Sequence, residues 1–405
     1  PPESYSAVSC VVSAFPDKKA VIRLQMKRIV LLSLASAAIA AAFHLPSGDL
    51  HLSRPSRTQA ASLRRHAAAR TSLVMKLAGS SALIVQNKGG GHGELGFHLA
   101  KQLRAAGCTV TLLNDGQPTA KPPFDHYNEL EQEYVDIVWT DVKAQRDLSS
   151  VLKGKTFDLV FDNWSKDEGT VRPIAEFAKK NNVKHYMYVS SGGMYQPTGD
   201  EFPILEKTKV KDDSGQRQVE KTLEAMKVPW TSFRPQYIYG PYTNKRDYLD
   251  FFFDRVTHGL PIPIPYEGAT LTTLTNAEDV ASMLISAVGK QYAIGEVFNC
   301  ASDRYISYEG IVRMVAKTVG KDPSEAVKSI VYYDPKRAAL PKGAFPFRNT
   351  HFCVNPEKAK LLLDWRPQHR LEDDLKWYFA AYRSLGKLAG QVDTSADAKA
   401  IAARA

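Results

Sequence analysis

The chain has 405 residues, 44% hydrophobic and 24% charged, an ordinary globular composition with length for two or three domains, which excludes a wholly disordered chain, a collagen-like fibre and a multi-span membrane protein. Its formal charge is +10, but the first 75 residues hold ten Lys/Arg against three Asp/Glu, leaving +3 for the other 330, so the excess by itself identifies no acidic partner. The cysteines, Cys10, Cys108, Cys300 and Cys353, stand far apart without a C-x-x-C pair, which argues against a zinc ribbon and a dense disulfide framework.

The sequence opens on Pro1, and its first methionine is Met26; residues 1–25 read as an upstream extension. From Met26 a basic start, an apolar run from Ile29 to Phe43 and the small residues Ala40-Ala41-Ala42 follow signal-peptide grammar, and about 14 apolar residues are too few for a membrane span. Residues 43–75, opening Phe43-His44-Leu45-Pro46 and rich in Ser, Ala and Arg with almost no acid, read as a transit peptide. This two-part address resembles that of algae with secondary plastids and implies the plastid stroma; an ordinary secreted or mitochondrial leader is the plainer alternative.

The body alternates short apolar runs with amphipathic stretches. Strands are expected at Ala82–Val85, Thr109–Leu113, Val135–Trp139, Leu159–Phe161 and Tyr186–Val189, and helices at Leu95–Ala105 and Pro173–Asn181. Such alternation argues an α/β fold, a Rossmann-like doubly wound parallel sheet with helices on both faces, here spanning residues 76–240. Later helices at Tyr248–Thr257, Asn276–Val288 and Tyr308–Val319, with a Pro/aromatic-rich stretch from Tyr332 to Phe352, suggest a smaller C-terminal lobe at 241–386, and the polar, Ala-rich 387–405 reads as a fraying tail.

After the first strand comes Asn87-Lys88-Gly89-Gly90-Gly91-His92-Gly93-Glu94-Leu95-Gly96. Gly90, Gly93 and Gly96 fit G-x-x-G-x-x-G, and Gly91, Gly93 and Gly96 fit G-x-G-x-x-G. Between strand and helix such a loop lets backbone N–H groups approach a pyrophosphate at a helix N-terminus. Asn114 or Asp115 would meet the ribose, and Asp141-Val142 would bracket the adenine of NAD(P). A retained structural loop with an empty or altered pocket is the competing reading.

The glycine loop, Ser190-Ser191-Gly192-Gly193-Met194-Tyr195 and Arg234-Pro235-Gln236-Tyr237-Ile238-Tyr239-Gly240-Pro241 together resemble the extended short-chain dehydrogenase/reductase superfamily from about Lys76 to Tyr382. Within it, Gly90-Gly91-His92, the Ser-Ser-Gly-Gly-Met-Tyr turn, Ala344-Phe345-Pro346-Phe347-Arg348-Asn349-Thr350-His351-Phe352, Glu357-Lys358-Ala359-Lys360 and Trp365-Arg366-Pro367 look like the chloroplast stem-loop-binding proteins of 41 kDa, the a-type branch in particular. Active reductases of the superfamily pair a Ser with Tyr-x-x-x-Lys, the Lys lowering the Tyr pKa for proton transfer as hydride passes to nicotinamide. Spacing from Tyr195 places Ser191 at the Ser position, and anchoring on Glu220 puts Asp212 and Gln216 where Tyr and Lys belong. Neither can do that chemistry, and no tyrosine occurs between Tyr195 and Tyr237. The resemblance implies an atypical member associated with plastid RNA and ribosomes, with a divalent-metal-dependent endoribonuclease activity.

For RNA, the sequence offers Lys245, Arg246, Lys336, Arg337, Lys342, Phe347 and Arg348 as phosphate-binding and base-stacking candidates; aromatic core with a solvated basic face is the bland reading. For catalysis it offers Ser191, Tyr195, Asp162, Asn163 and His92, with Mg²⁺ as the ion a nuclease would need, although no acidic cluster marks a metal site. Asp162 and Asn163 also read as turn residues, and His92 as a cap. The expectation is a plastid RNA-binding protein that binds or stabilises stem-loop, ribosome-associated transcripts, with weak metal-dependent endoribonuclease activity, on a degenerate dehydrogenase fold; the alternatives are an NAD(P)-dependent sugar-nucleotide epimerase or reductase and a non-catalytic scaffold in a homo- or hetero-oligomeric plastid complex.

Overall fold

A computed structural model of the chain describes residues 77–86, 92–145, 147–197, 199 and 201–404. The expected extension, signal peptide and transit peptide, together with Gly90 and Gly91, lie outside the described residues.

The strands β1 (Ser81–Gln86), β2 (Thr109–Asp115), β3 (Asp136–Thr140), β4 (Leu159–Asn163), β5 (His185–Val189), β6 (Trp230–Pro235) and β11 (Glu296–Cys300) form one parallel sheet in the order β11-β6-β5-β4-β1-β2-β3. Order reverses between β1 and β4, which run in register with Gln86 opposite Asn163, and such a switch opens a crevice at the carboxyl ends of the strands. The pleat divides the apolar residues between two faces. On one, Ile84, Leu112 and Phe161 pack under helices α1 (Gly93–Ala105) and α7 (Ala277–Ser286). On the other, Leu83, Val85, Tyr186 and Tyr188 pack under α4 (Glu168–Lys180) and α5 (Gly215–Ala225). Between these come the short α2 (Tyr127–Gln132) and α3 (Leu148–Val151); α6 (Asp247–His258) follows the short strand β7 (Ile238–Tyr239), and the short strands β8 (Ile262–Pro265), β9 (Leu271–Thr272) and β10 (Thr275–Asn276) precede α7.

Helix α4 starts five residues before its expected position, because the Asp167 carboxylate accepts from Thr170 N–H and the Thr170 hydroxyl accepts from Asp167 N–H, a capping box that overrides Pro173 in the second turn.

The lobe has its own core, in which Phe252 and Phe253 of α6, Tyr308 and Ile311 of α8 (Tyr308–Thr318) and Tyr378 and Tyr382 of the C-terminal helix Leu371–Ser384 surround Phe345 and Phe347. Two sequence boundaries are corrected. Residues 277–286 and 296–300, expected in the lobe, belong to the main sheet as α7 and as β11, which pairs with β6; the lobe is built partly from an excursion between β6 and β11. The tail at 387–405 does not simply fray. Residues Asp397–Ala402 form a helix whose Ala400, with Ala403, packs on Tyr333 and Ala338, and Asp397 meets Arg255 at 2.7 Å. Small side chains allow that close approach where the composition had suggested none. Among the described residues no helix is long and apolar enough to cross a membrane.

Candidate functional site

The carboxyl ends of β4, β5 and β6 open onto a cleft of 290 Å³ lined by His92, Asn163–Lys166, Val189–Ser191, Gly193, Gln216, Pro235–Ile238, Tyr248, Arg348 and Phe352. Of the catalytic candidates, the cleft therefore unites Ser191, Asn163 and His92 and leaves out Tyr195 and Asp162.

Tyr195 is fully buried; its hydroxyl donates to Asn299 Oδ1 at 2.7 Å and accepts from Arg234 at 3.0 Å. Burial pushes its pKa up despite the neighbouring guanidinium. Arg234 in turn binds the Glu220 carboxylate (2.7 and 3.1 Å), which also accepts from Ser190, Ser232 and Arg217. Burial alone would raise the Glu220 pKa, but these bonds and the Arg234 charge hold it below its ordinary value. The Ser-Ser-Gly-Gly-Met-Tyr and Arg-Pro-Gln motifs are thus tied to α5 by a buried polar network, and Tyr195 is part of that frame rather than a reacting group.

Asp162 is likewise turned inward. Its carboxylate accepts from Trp164 and Ser165 N–H (both 2.9 Å) and from Tyr186 Oη (2.6 Å), and burial raises its pKa. It shapes the β4–α4 turn. None of the residues lining the cleft is acidic, and no group of three His, Cys, Asp or Glu able to hold a metal occurs among the described residues. The donors present do not fit the Mg²⁺ that a metal-dependent nuclease would require.

On the nucleotide side the frame is kept while its contacts differ. Gly93 and Gly96 sit where strand passes to helix, but a Cβ at Gly96 would collide with the Gln86 amide, which packs beneath the helix and donates to Gly93 O. Glu94, fully buried in the first turn of α1, places a carboxylate at the positive helix end that a pyrophosphate would use. One Glu94 oxygen meets His92 Nδ1 and Thr243 Oγ1, each at 3.2 Å, while the other has no partner. Asn114 faces inward to Tyr127 Oη at 2.8 Å. Asp115 accepts from the N–H of buried Val142, and exposed Asp141 accepts from Ala144 N–H. Of the residues expected at the ribose and adenine, Asp115 is thus bonded to Val142, while Asn114 and Asp141 bond to Tyr127 and Ala144.

At the Tyr and Lys positions, Asp212 is exposed and paired with Lys221 at 3.2 Å, whereas Gln216, in the first turn of α5, lines the cleft with no hydrogen-bond partner for its amide among the described residues. Ser191 caps the following turn by accepting from Gly193 N–H at 3.0 Å.

The expected RNA contacts divide. Phe347 is buried, stacked on Tyr308, Tyr248 and Phe252, so it is core and unable to stack a base. Arg246 is committed to Asp250 (3.1 Å) and to the Tyr378 ring, while Lys245 lies over the Tyr248 ring. Lys336, Arg337 and Lys342 are exposed and do not line the cleft. Arg348 alone of the set enters the cleft. Its backbone N–H donates to Tyr237 Oη (3.2 Å) and its carbonyl accepts from Tyr308 Oη, and one guanidinium nitrogen donates to Gly193 O at 2.6 Å while the group lies 3.8 Å from the Phe352 ring centroid. Desolvation lowers its pKa. Tyr237 holds a left-handed backbone (φ 39°), a strain that clusters at functional sites. Sequence reasoning overlooked Lys166, Tyr248, Gln86 and Glu94; an acid inside a glycine loop was the available signal for the last.

A family of NAD(P)H-binding domains matches residues 90–250. The chloroplast stem-loop binding protein of 41 kDa b of Arabidopsis thaliana is 34% identical over 297 residues, 71% of this chain and 76% of that protein. Among solved structures, dTDP-glucose 4,6-dehydratase of Bacillus anthracis, in complex with NAD, superposes with a TM-score of 0.59 at 17% identity, covering 75% of this chain and 97% of its own. An epimerase of Methanothermobacter thermautotrophicus gives 0.57 at 19%, covering 78% and 97%. These structural likenesses speak for the fold alone, an epimerase/dehydratase-type extended short-chain dehydrogenase/reductase sheet.

Proposed function

This chain belongs to the family of the chloroplast stem-loop-binding proteins of 41 kDa, and from that premise we propose that it is a plastid RNA-binding protein on a degenerate dehydrogenase fold. The observation that carries the reading is the cleft: where a reductase needs Tyr and Lys, this chain has exposed Asp212 and an amide, Gln216, and the surrounding wall is basic and aromatic without an acid. A phenol activated by a lysine is required to move the proton that accompanies hydride transfer, whereas cations and rings suit an unpaired RNA segment.

The reading comprises binding and transcript stabilisation, in a plastid; the 344–352 block had suggested the a-type branch, whereas the matching relative described above is the b protein. Metal-dependent cleavage is left out because the carboxylates needed for it, Asp162 foremost, are satisfied internally.

The purified full chain is expected to be retained on immobilised stem-loop RNA at low salt and released as salt rises, since phosphate contacts release counterions. Failure to retain any stem-loop RNA at low salt sinks the reading, and a strong melting shift with NAD(P) together with turnover of a sugar nucleotide would replace it with the enzyme alternative.

A further inference from the structure

We propose that the cleft is the seat of one phosphate-linked nucleotide of an unpaired RNA segment, its phosphate held by Arg348 and Lys166 and its base edge met by Gln216, Asn163 and Tyr248. This rests on the RNA-binding reading and assigns it a site.

The argument starts from charge. A cation taken partly out of water is costly unless an anion or a set of acceptors compensates it. Arg348 is half-buried, yet among the described residues it forms no ion pair; Gly193 O is the acceptor of one nitrogen, and the remaining guanidinium N–H groups have none. Lys166 lines the same wall, and its ammonium also has no ion pair among the described residues. With no acid in the lining, half-buried Arg348 lacks a counter-charge, and exposed Lys166 adds a second positive residue to that lining. A guanidinium fork matches the oxygens of a phosphate.

The second element is preorganisation. Tyr237 and Tyr308 fix the Arg348 backbone from both sides, and the segment is tied to β6 through Gln236, whose amide donates to Phe352 O and accepts from Val354 N–H at 2.8 Å. The guanidinium carried by this fixed backbone is itself seated on Gly193 O and the Phe352 ring, so it loses little freedom on binding.

The third is selectivity of shape. A volume of 290 Å³ lies at the lower end of small-ligand sites and admits one nucleotide, not a duplex. Polar groups left over around it are of both kinds: the Gln216 amide, Asn163 Oδ1 (the Asn163 amide nitrogen is spent on Gln86 and His92 O) and the Tyr248 hydroxyl. Bases splayed from RNA loops are recognised by such groups on their edges.

The test uses the full chain and a fluorescent stem-loop RNA, with affinity measured against salt concentration. Arg348→Gln and Lys166→Gln are each expected to weaken binding roughly tenfold and to flatten the slope of log K against log salt, together by about 0.7, the share of one single-strand phosphate. Lys179→Gln, on the exposed face of α4, should change neither. Lys166 is exposed and its ammonium has no hydrogen bond or ion pair among the described residues, so its variant stays informative if Arg348→Gln unfolds. Unchanged affinity and slope in Lys166→Gln and in folded Arg348→Gln, while the native chain still binds, overturns the site and spares the RNA-binding reading; loss of all binding by the native chain overturns both. Uridine monophosphate is the second probe: if it raises the melting temperature in a Lys166-dependent way and fails to compete with the stem-loop, the cleft serves free nucleotides and the RNA assignment of the site is overturned.

Discussion

Arg234 and Arg348 both bring a guanidinium to the neighbourhood of the cleft, one from strand β6 beneath it and one from the lobe segment that lines it. Arg234 is 3% exposed and meets the equally buried Glu220, with Tyr195 completing the contact. Arg348 meets a carbonyl and a ring face, and no carboxylate. The first pair is closed on itself and can only hold the frame together. The second leaves donor capacity pointing into a space open to solvent, which is the condition for binding something from outside. The same residue type, equally conspicuous in the sequence, serves opposite ends because of what the fold brings opposite it.

This contrast can be broken by mutation. The largest expected effect is on Glu220→Ala, which leaves Arg234 buried without its counter-charge and should cost about 3–5 kcal/mol of stability by chemical denaturation; a loss below about 1 kcal/mol would mean that the network is dispensable. Phe347→Ala should cost a similar or slightly smaller amount, about 3 kcal/mol, as removal of a buried ring, and a soluble variant of native stability with weakened RNA binding would return Phe347 to the role of a stacking residue. Arg348→Gln should cost less than about 1 kcal/mol, since it strands no buried carboxylate, while impairing RNA binding. Lys336→Gln and Arg337→Gln should alter stability by no more than about 0.5 kcal/mol, and their effect on RNA binding should be smaller than that of Arg348→Gln.

A pH experiment sharpens the same comparison for a histidine. His369 joins Asp374 (3.3 Å) and Glu278 (3.5 Å) beside the N-terminus of α7. Its hydrogen bonds to these carboxylates raise its pKa from the ordinary 6.5 to about 10, against the opposing pull of burial. A folded-state pKa above the unfolded one contributes stability that is fully present below pH 6.5 and is lost as pH rises through about 10. The melting temperature should therefore decline over that window, and the decline should flatten in His369→Gln; an equal decline in that variant would assign the effect to other groups.

Much of this was legible in the sequence. Short apolar and β-branched runs and the glycine cluster located β1 to β5 and the start of α1, and the missing tyrosine between Tyr195 and Tyr237 argued against reductase chemistry without coordinates. What stayed hidden depended on partners far along the chain. Tyr195 sits in a motif where a catalytic neighbour is expected, and only Asn299, 104 residues away, and Arg234 show that its hydroxyl is spent. Phe347 has the composition of a stacking residue, and its burial is settled by Tyr248, Phe252 and Tyr308. Asp162 could be read either as a ligand or as a turn residue until Tyr186 was seen to complete its set of donors. Strand β11 carries only Val297 and Phe298 as strong strand formers in Glu296–Cys300, too short a signal against the helices on either side.

The late arrival of β11 has a consequence for how the molecule assembles. Its partner β6 ends at Pro235 and β11 begins at Glu296, so the sheet's outer edge cannot be completed until a chain of about 60 residues, including α6 and α7, has been gathered in. Closing such a loop is entropically unfavourable before its contacts form, and non-local parallel pairing is slow for the same reason. During synthesis β6 is left as an open edge until the excursion is made, and the amide protons of β11 should be among the last in the sheet to gain protection from exchange.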